Sequence, residues 1–114
     1  QYKYDMDGML FWATNEWTNL NRRHQINPYI GLLVYPGKEY KIDGPVSCIR
    51  TEIARDGIED FQYMKMLEDE IGRDAVLEYV KEVTTEILEF TEDPDVLSSA
   101  REAIAYRLMD ELEK

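Results

Sequence analysis

The residues best equipped for chemistry fall into two groups. The first is Trp12, Asn15, Trp17 and Tyr35, which stand at or just beyond the ends of two short apolar runs. Indole rings stack on pyranose faces and an amide hydrogen-bonds a sugar hydroxyl, so this set suits a carbohydrate. The second group is the crowded series Arg50, Glu52, Arg55, Asp56, Glu59 and Asp60. At helical spacing Arg55 meets both Glu52 and Glu59, whereas Asp56 and Asp60 repel each other. Each group also has a plainer reading. Trp12 then belongs to a core, Asn15 to a turn, and the charged series to a solvated helix face.

Two strands and three helices are expected to carry these residues. Residues 8–13, with Met9-Leu10-Phe11-Trp12 unbroken by polar residues, read as a strand covered on both faces. Residues 31–35 read as a second strand, stopped by Pro36-Gly37. Ser47 is a helix cap, and Ile49, Ile53, Phe61, Met64, Leu67 and Ile71 form the buried face of the helix that follows. Gly57, in mid-helix, points to a close approach or a kink. Gly72 stops that helix and Asp74 caps the next, whose stripe is Val76, Val80, Val83, Ile87 and Phe90. Asp93-Pro94 opens a last helix with the stripe Leu97, Ala100, Ile104, Leu108 and Leu112. The expected class is mainly α with a small β part.

The string Ser47-Cys-Ile-Arg50-Thr-Glu52-Ile-Ala-Arg55-Asp56-Gly57-Ile-Glu59-Asp60-Phe-Gln-Tyr63 resembles a signature near the end of the glycoside hydrolase family 123 catalytic domain. Two upstream stretches, residues 8–17 and 31–37, look like the strand motifs that precede it. The resemblance implies the C-terminal end of a (β/α)8 barrel, with residues 1–43 as its strand and loop part and 44–114 as its helical part. It further implies a β-N-acetylgalactosaminidase in which the substrate's own 2-acetamido oxygen attacks the anomeric carbon. The family's catalytic Asp-Glu pair lies upstream of these motifs, so no residue of this chain inherits a catalytic role. What carries over is binding. Trp12, Asn15, Trp17 and Tyr35 fall on strand-end positions, and Arg50 braces that wall from the first turn of the helix.

Composition narrows the partners. The chain has 114 residues and a net charge of −11, with a pI near 4.4. Such acidity argues against nucleic acid, which selects basic surfaces. No apolar run approaches the roughly 20 residues needed to cross a bilayer. His24, the single histidine, lies in a polar loop beside Arg22 and Arg23 without metal-ligand spacing, and Asp5 and Asp7 lack the later ligands of a calcium loop. Neither metal nor cofactor is expected. Cys48 is the single cysteine, so no internal disulfide forms and the compartment stays undetermined. A start at Gln1 rather than Met suggests an excised segment.

Two functions follow. The segment is either one wall of an amino-sugar site, inactive without the preceding barrel portion, or a noncatalytic helical module that docks on another domain or on its own copy. Met9, Leu10, Phe11, Leu32, Leu33 and Val34 are expected to form an apolar patch that favours self-association.

Overall fold

A computed structural model describes residues 1–11, 14 and 32–114, with Glu39 as backbone alone. These residues are mainly helical with a small β part: three helices and two antiparallel strand pairs. They divide into two compact units, Gln1–Asp7 with Ile58–Lys114, and Gly8–Gly57.

In the second of these units, β1 (Val34–Pro36) pairs antiparallel with β2 (Pro45–Ser47), placing Tyr35 opposite Val46 and Pro36 opposite Pro45. Facing prolines end the ladder, since neither has an N–H to donate. The connection closes tightly on Gly37, which donates to the Gly44 carbonyl (3.0 Å) and accepts from Ile42 N–H (3.0 Å). A Cβ at Gly37 would lie 2.1 Å from the Gly44 oxygen, so only glycine fits. Residues 8–11 form no strand: Met9 and Leu10 are 68% and 88% exposed. A short apolar run has no period to identify it, and here its backbone finds no ladder. Trp12 and Ala13, which completed the expected strand, lie outside the described residues.

The long helix α1 (Ile49–Ile71) gives its first turns to this unit and the rest to the other. It starts two residues after Ser47, which ends β2 instead of capping. The Ser47 hydroxyl donates to Glu52 Oε1 (2.9 Å), and the N–H groups of Thr51 and Glu52, in the first turn, go to the Cys48 carbonyl. Ile49 and Ile53 are exposed, against expectation, because no described element covers the first turns on that side. Gly57 meets open space and not a neighbouring backbone.

The helical unit is built on the remainder of α1, α2 (Arg73–Val83) and α3 (Pro94–Leu112). Its core is Tyr2, Leu67, Val76, Ile104 and Leu108, with Phe61, Met64, Ile71, Leu77, Tyr79 and Val80 packed around it. The Tyr2 ring meets Phe61 edge-on at 6.0 Å, and the Arg73 guanidinium stacks on it at 4.8 Å. Arg73 also donates to the Tyr2 carbonyl (2.6 Å). Glu68 gathers the polar ends: it accepts from the Tyr2 hydroxyl at 2.6 Å and from Lys65 at 2.8 Å, with Arg73 at 3.4 Å. Burial and then Glu68 push the Tyr2 phenol up, while the bonds from Lys65 and Tyr2 hold the Glu68 carboxyl below its usual range.

Gly72 separates α1 from α2 at φ 83° and ψ 155°, a region nearly restricted to glycine. Asp74, expected as a cap, sits inside the first turn, where it still favours the helix N-terminus electrostatically. The stripe read as Val76 to Phe90 is interrupted. α2 stops at Val83, and β3 (Thr84–Glu86) turns back onto β4 (Glu89–Phe90) with a bulge, leaving Ile87 and Phe90 exposed. Two consecutive β-branched residues with competing hydroxyls disfavour further helix. Thr84 Oγ1 donates to the carbonyls of Glu86 and Glu89, and Lys3 Nζ binds the carbonyls of Thr84 and Thr85. Asp93 caps α3 as its sequence implies, accepting from Asp95 N–H at 2.9 Å. Ala100, Ile104 and Leu108 are buried, while Leu97 and Leu112 overrun the core.

The two glycines of α1 and its boundary should respond oppositely. Gly72→Ala costs about 1–3 kcal/mol from backbone strain alone, since its Cβ would meet open space. Gly57→Ala stabilises by about 1 kcal/mol, and urea unfolding of both variants checks the signs. Glu68 gives a pH dependence. Its depressed folded pKa contributes stability above the unfolded carboxylate value, about 4.3, and that stability is lost as pH falls through the lower folded value. Acid unfolding followed by circular dichroism should therefore flatten over that range in Glu68→Gln.

Candidate functional site

Of the five residues expected to line a site, two are described, and they touch. Tyr35 is the central residue of β1, and Arg50 lies in the first turn of α1. Arg50 Nη1 donates to the Tyr35 hydroxyl at 3.3 Å. This contact with Tyr35 raises the Arg50 pKa further, so the side chain is a permanent cation. The Arg50 side chain also donates to the Cys48 sulfur, so the guanidinium is tied to both neighbours. Trp12, Asn15 and Trp17, like His24, lie outside the described residues.

What brings Tyr35 and Arg50 together is a set of bonds beneath them. The Cys48 thiol is shared between the carbonyls of Leu32 (3.3 Å) and Leu33 (3.2 Å), and the Thr51 hydroxyl also donates to the Leu33 carbonyl. The Leu33 and Val34 N–H groups both reach the Thr14 carbonyl, at 3.1 and 3.2 Å. Leu32 is buried behind them and Leu33 and Val34 are half-buried, so that part of the expected apolar patch is covered, whereas Met9, Leu10 and Phe11 are exposed. Burial raises the Cys48 thiol pKa, but the Thr51 and Arg50 N–H groups aimed at its sulfur outweigh that and bring it below its ordinary value. The sequence reading missed Cys48 and Thr51 as positioning residues. The signal was their spacing of three at a helix start, which puts two short polar side chains on the strand side.

The acidic residues of α1 form no catalytic constellation. Arg55 bridges Glu52 at 2.7 Å and Asp56 at 3.4 Å. Asp60 is held at 2.7 Å by Arg101 of α3, which relieves the repulsion from Asp56 that the spacing implies. Among the described residues no group of three or more His, Cys, Asp or Glu is placed to hold a metal ion. No helix among them is long and apolar enough to cross a membrane.

Residues 1–67 match the family model of the glycoside hydrolase 123 catalytic domain. The chain belongs to that family. The match takes in β1, β2 and α1 as far as Leu67, and thus both members of the Tyr35–Arg50 pair. Within this glycoside hydrolase 123 chain, α2, the β3–β4 hairpin and α3 lie beyond the matched region. No curated protein and no solved structure matches the chain.

The bonds beneath the pair should matter more for stability than the pair itself. Thr51→Val removes the hydroxyl from a half-buried carbonyl and should cost about 1–2 kcal/mol. Tyr35→Phe breaks an exposed contact and should cost well under about 1 kcal/mol. Equilibrium urea unfolding of the two variants checks the order.

Proposed function

We propose that this chain supplies one wall of the amino-sugar site of a glycoside hydrolase 123 catalytic domain that hydrolyses β-linked N-acetylgalactosamine. The reading rests on family membership for the chemistry and on the Arg50–Tyr35 hydrogen bond for the wall. In the substrate-assisted reaction the 2-acetamido oxygen attacks the anomeric carbon while a carboxylic acid protonates the departing oxygen. The Asp and Glu that orient the acetamide and supply this proton belong to the barrel portion preceding these motifs, here a partner of the chain. The role left to Tyr35 and Arg50 is to orient polar groups of the sugar, with Trp12 and Trp17 offering stacking faces and Asn15 an amide. By itself the segment binds and does not turn over.

A second reading, a docking module, is favoured by a specific observation. Ile49 and Ile53 stand 70% and 62% exposed on one side of α1, which is expensive for a surface that stays in water. In the first reading that side is covered by the rest of the catalytic domain; in the second it is covered by another domain or a second copy.

Titration of N-acetylgalactosamine against tryptophan fluorescence separates the two. The amino-sugar reading predicts a saturable change that weakens about tenfold or more in Arg50→Ala. An unchanged spectrum up to tens of millimolar, with light scattering showing a stable dimer, favours the docking module instead.

A further inference from the structure

The β3–β4 hairpin between α2 and α3 turns its apolar residues outward. Leu88 is 87% exposed, Ile87 70% and Phe90 60%. Glu86 stands opposite Glu89, so Ile87 and Leu88 form the turn at the tip. Neither has a positive φ, so this turn accepts almost any residue, and polar ones are the usual occupants. Turn geometry therefore does not call for isoleucine and leucine, and neither does the core. The tip is also held firmly from below. Thr91 N–H reaches the Val83 carbonyl (2.8 Å), and Thr84 Oγ1 donates to the Glu86 and Glu89 carbonyls (2.9 and 3.1 Å). Thr85 Oγ1 donates to Glu89 Oε2 (3.0 Å), and Lys3 Nζ binds the Thr84 and Thr85 carbonyls. Two large apolar side chains are thus carried into water on a braced support.

The setting of the tip is acidic. Residues 82–95 include Glu82, Glu86, Glu89, Glu92, Asp93 and Asp95 and neither Lys nor Arg. Lys81, just before them, is paired with Glu78, and Lys3 meets carbonyls and not carboxylates. We propose that the hairpin tip docks on a partner protein whose apolar pocket is edged by Lys and Arg. Ile87 and Leu88 fill the pocket, and Glu86, Glu89 and Glu92 meet its basic rim. Charge selects this occupant. A second copy, with a net charge of −11, would set one acidic collar against another. An anionic membrane surface repels the collar in the same way. The hairpin also lies beyond residues 1–67, so it is not part of what matches the catalytic domain. The exposed Ile49 and Ile53 of α1 differ, because Arg50, Glu52, Arg55 and Asp56 around them carry both signs. Because the hairpin is already braced, little ordering cost opposes docking.

The probe is an amphipathic Leu/Lys peptide, titrated into the labelled chain while amide shifts are mapped. A Ser/Lys peptide of equal charge and an uncharged Leu/Ser peptide serve as controls. The proposal predicts saturable shifts concentrated on residues 84–92, and binding about tenfold or more weaker for either control. Leu88→Ser should weaken the Leu/Lys peptide about tenfold and leave the melting temperature as it was, since the side chain is exposed. Raising salt from about 0.05 M to about 0.5 M should also weaken it, and the double substitution Glu86→Gln with Glu89→Gln should flatten that dependence. Shifts centred on Ile49 and Ile53, equal binding of the Ser/Lys peptide, or unchanged affinity in Leu88→Ser overturns the proposal. A dimer that Leu88→Ser dissolves overturns it in favour of a second copy, and cosedimentation with phosphatidylcholine vesicles in favour of a membrane. Hairpin amides protected from exchange in the full parent protein alone overturn it in favour of the preceding barrel portion.

Discussion

The candidate site depends on two backbone carbonyls. Leu32 and Leu33 present them at the entrance to β1, and Cys48 and Thr51, at the start of α1, capture them. A hydrogen bond to a half-buried carbonyl contributes about 1 kcal/mol, and leaving that carbonyl unmet costs at least as much. Strand and helix are thereby fixed to each other through atoms that do no chemistry. The reach of Arg50 to Tyr35 is a consequence: Arg50 is exposed and Tyr35 half-buried, and by itself the contact would hold neither element in place.

The helical unit has its own organising contact, of a different kind. Glu68 collects the Tyr2 hydroxyl, Lys65 and Arg73, and the same arginine stacks on the Tyr2 ring and binds its carbonyl. This fastens the first residues of the chain to the junction of α1 and α2, more than sixty positions away. The unit's apolar core is small, so a satisfied polar cluster at its edge matters for defining one arrangement. The family match ends at Leu67, so it takes in Tyr2 and Lys65 of this cluster and leaves out Glu68 and Arg73.

Much of this was legible in the residues, and the misses have physical causes. The helical class, the cap at Asp93 and the stop at Gly72 followed from local chemistry that tertiary contacts did not override. Of the strand expected at residues 8–13, the described residues 8–11 form none, because a short apolar run specifies burial without specifying a partner. β2 was hidden beneath a helix-cap signal at Ser47, whose hydroxyl found a carboxylate and not a backbone N–H. The continuous stripe through Ile87 and Phe90 was correct as a period and wrong as a helix, because Thr84 and Thr85 broke it, the first with a hydroxyl on the Glu86 and Glu89 carbonyls and the second with one on the Glu89 carboxylate. Gly57 was read as a packing glycine, and it faces solvent. Within the site, Tyr35 and Arg50 were legible from motif position, whereas Cys48 and Thr51 were not, because small polar residues near a helix start have many unremarkable uses.

The claim that carries most weight is that β1 and the first turn of α1 form one sugar-contacting wall. Amide chemical-shift mapping during titration of N-acetylgalactosamine into the labelled chain tests it residue by residue. The account predicts that shifts concentrate on residues 34–36 and 49–52, with Tyr35 and Arg50 among the largest, and that α2 and α3 stay silent. Shifts confined to α2 and α3, or none at saturating sugar, would contradict it.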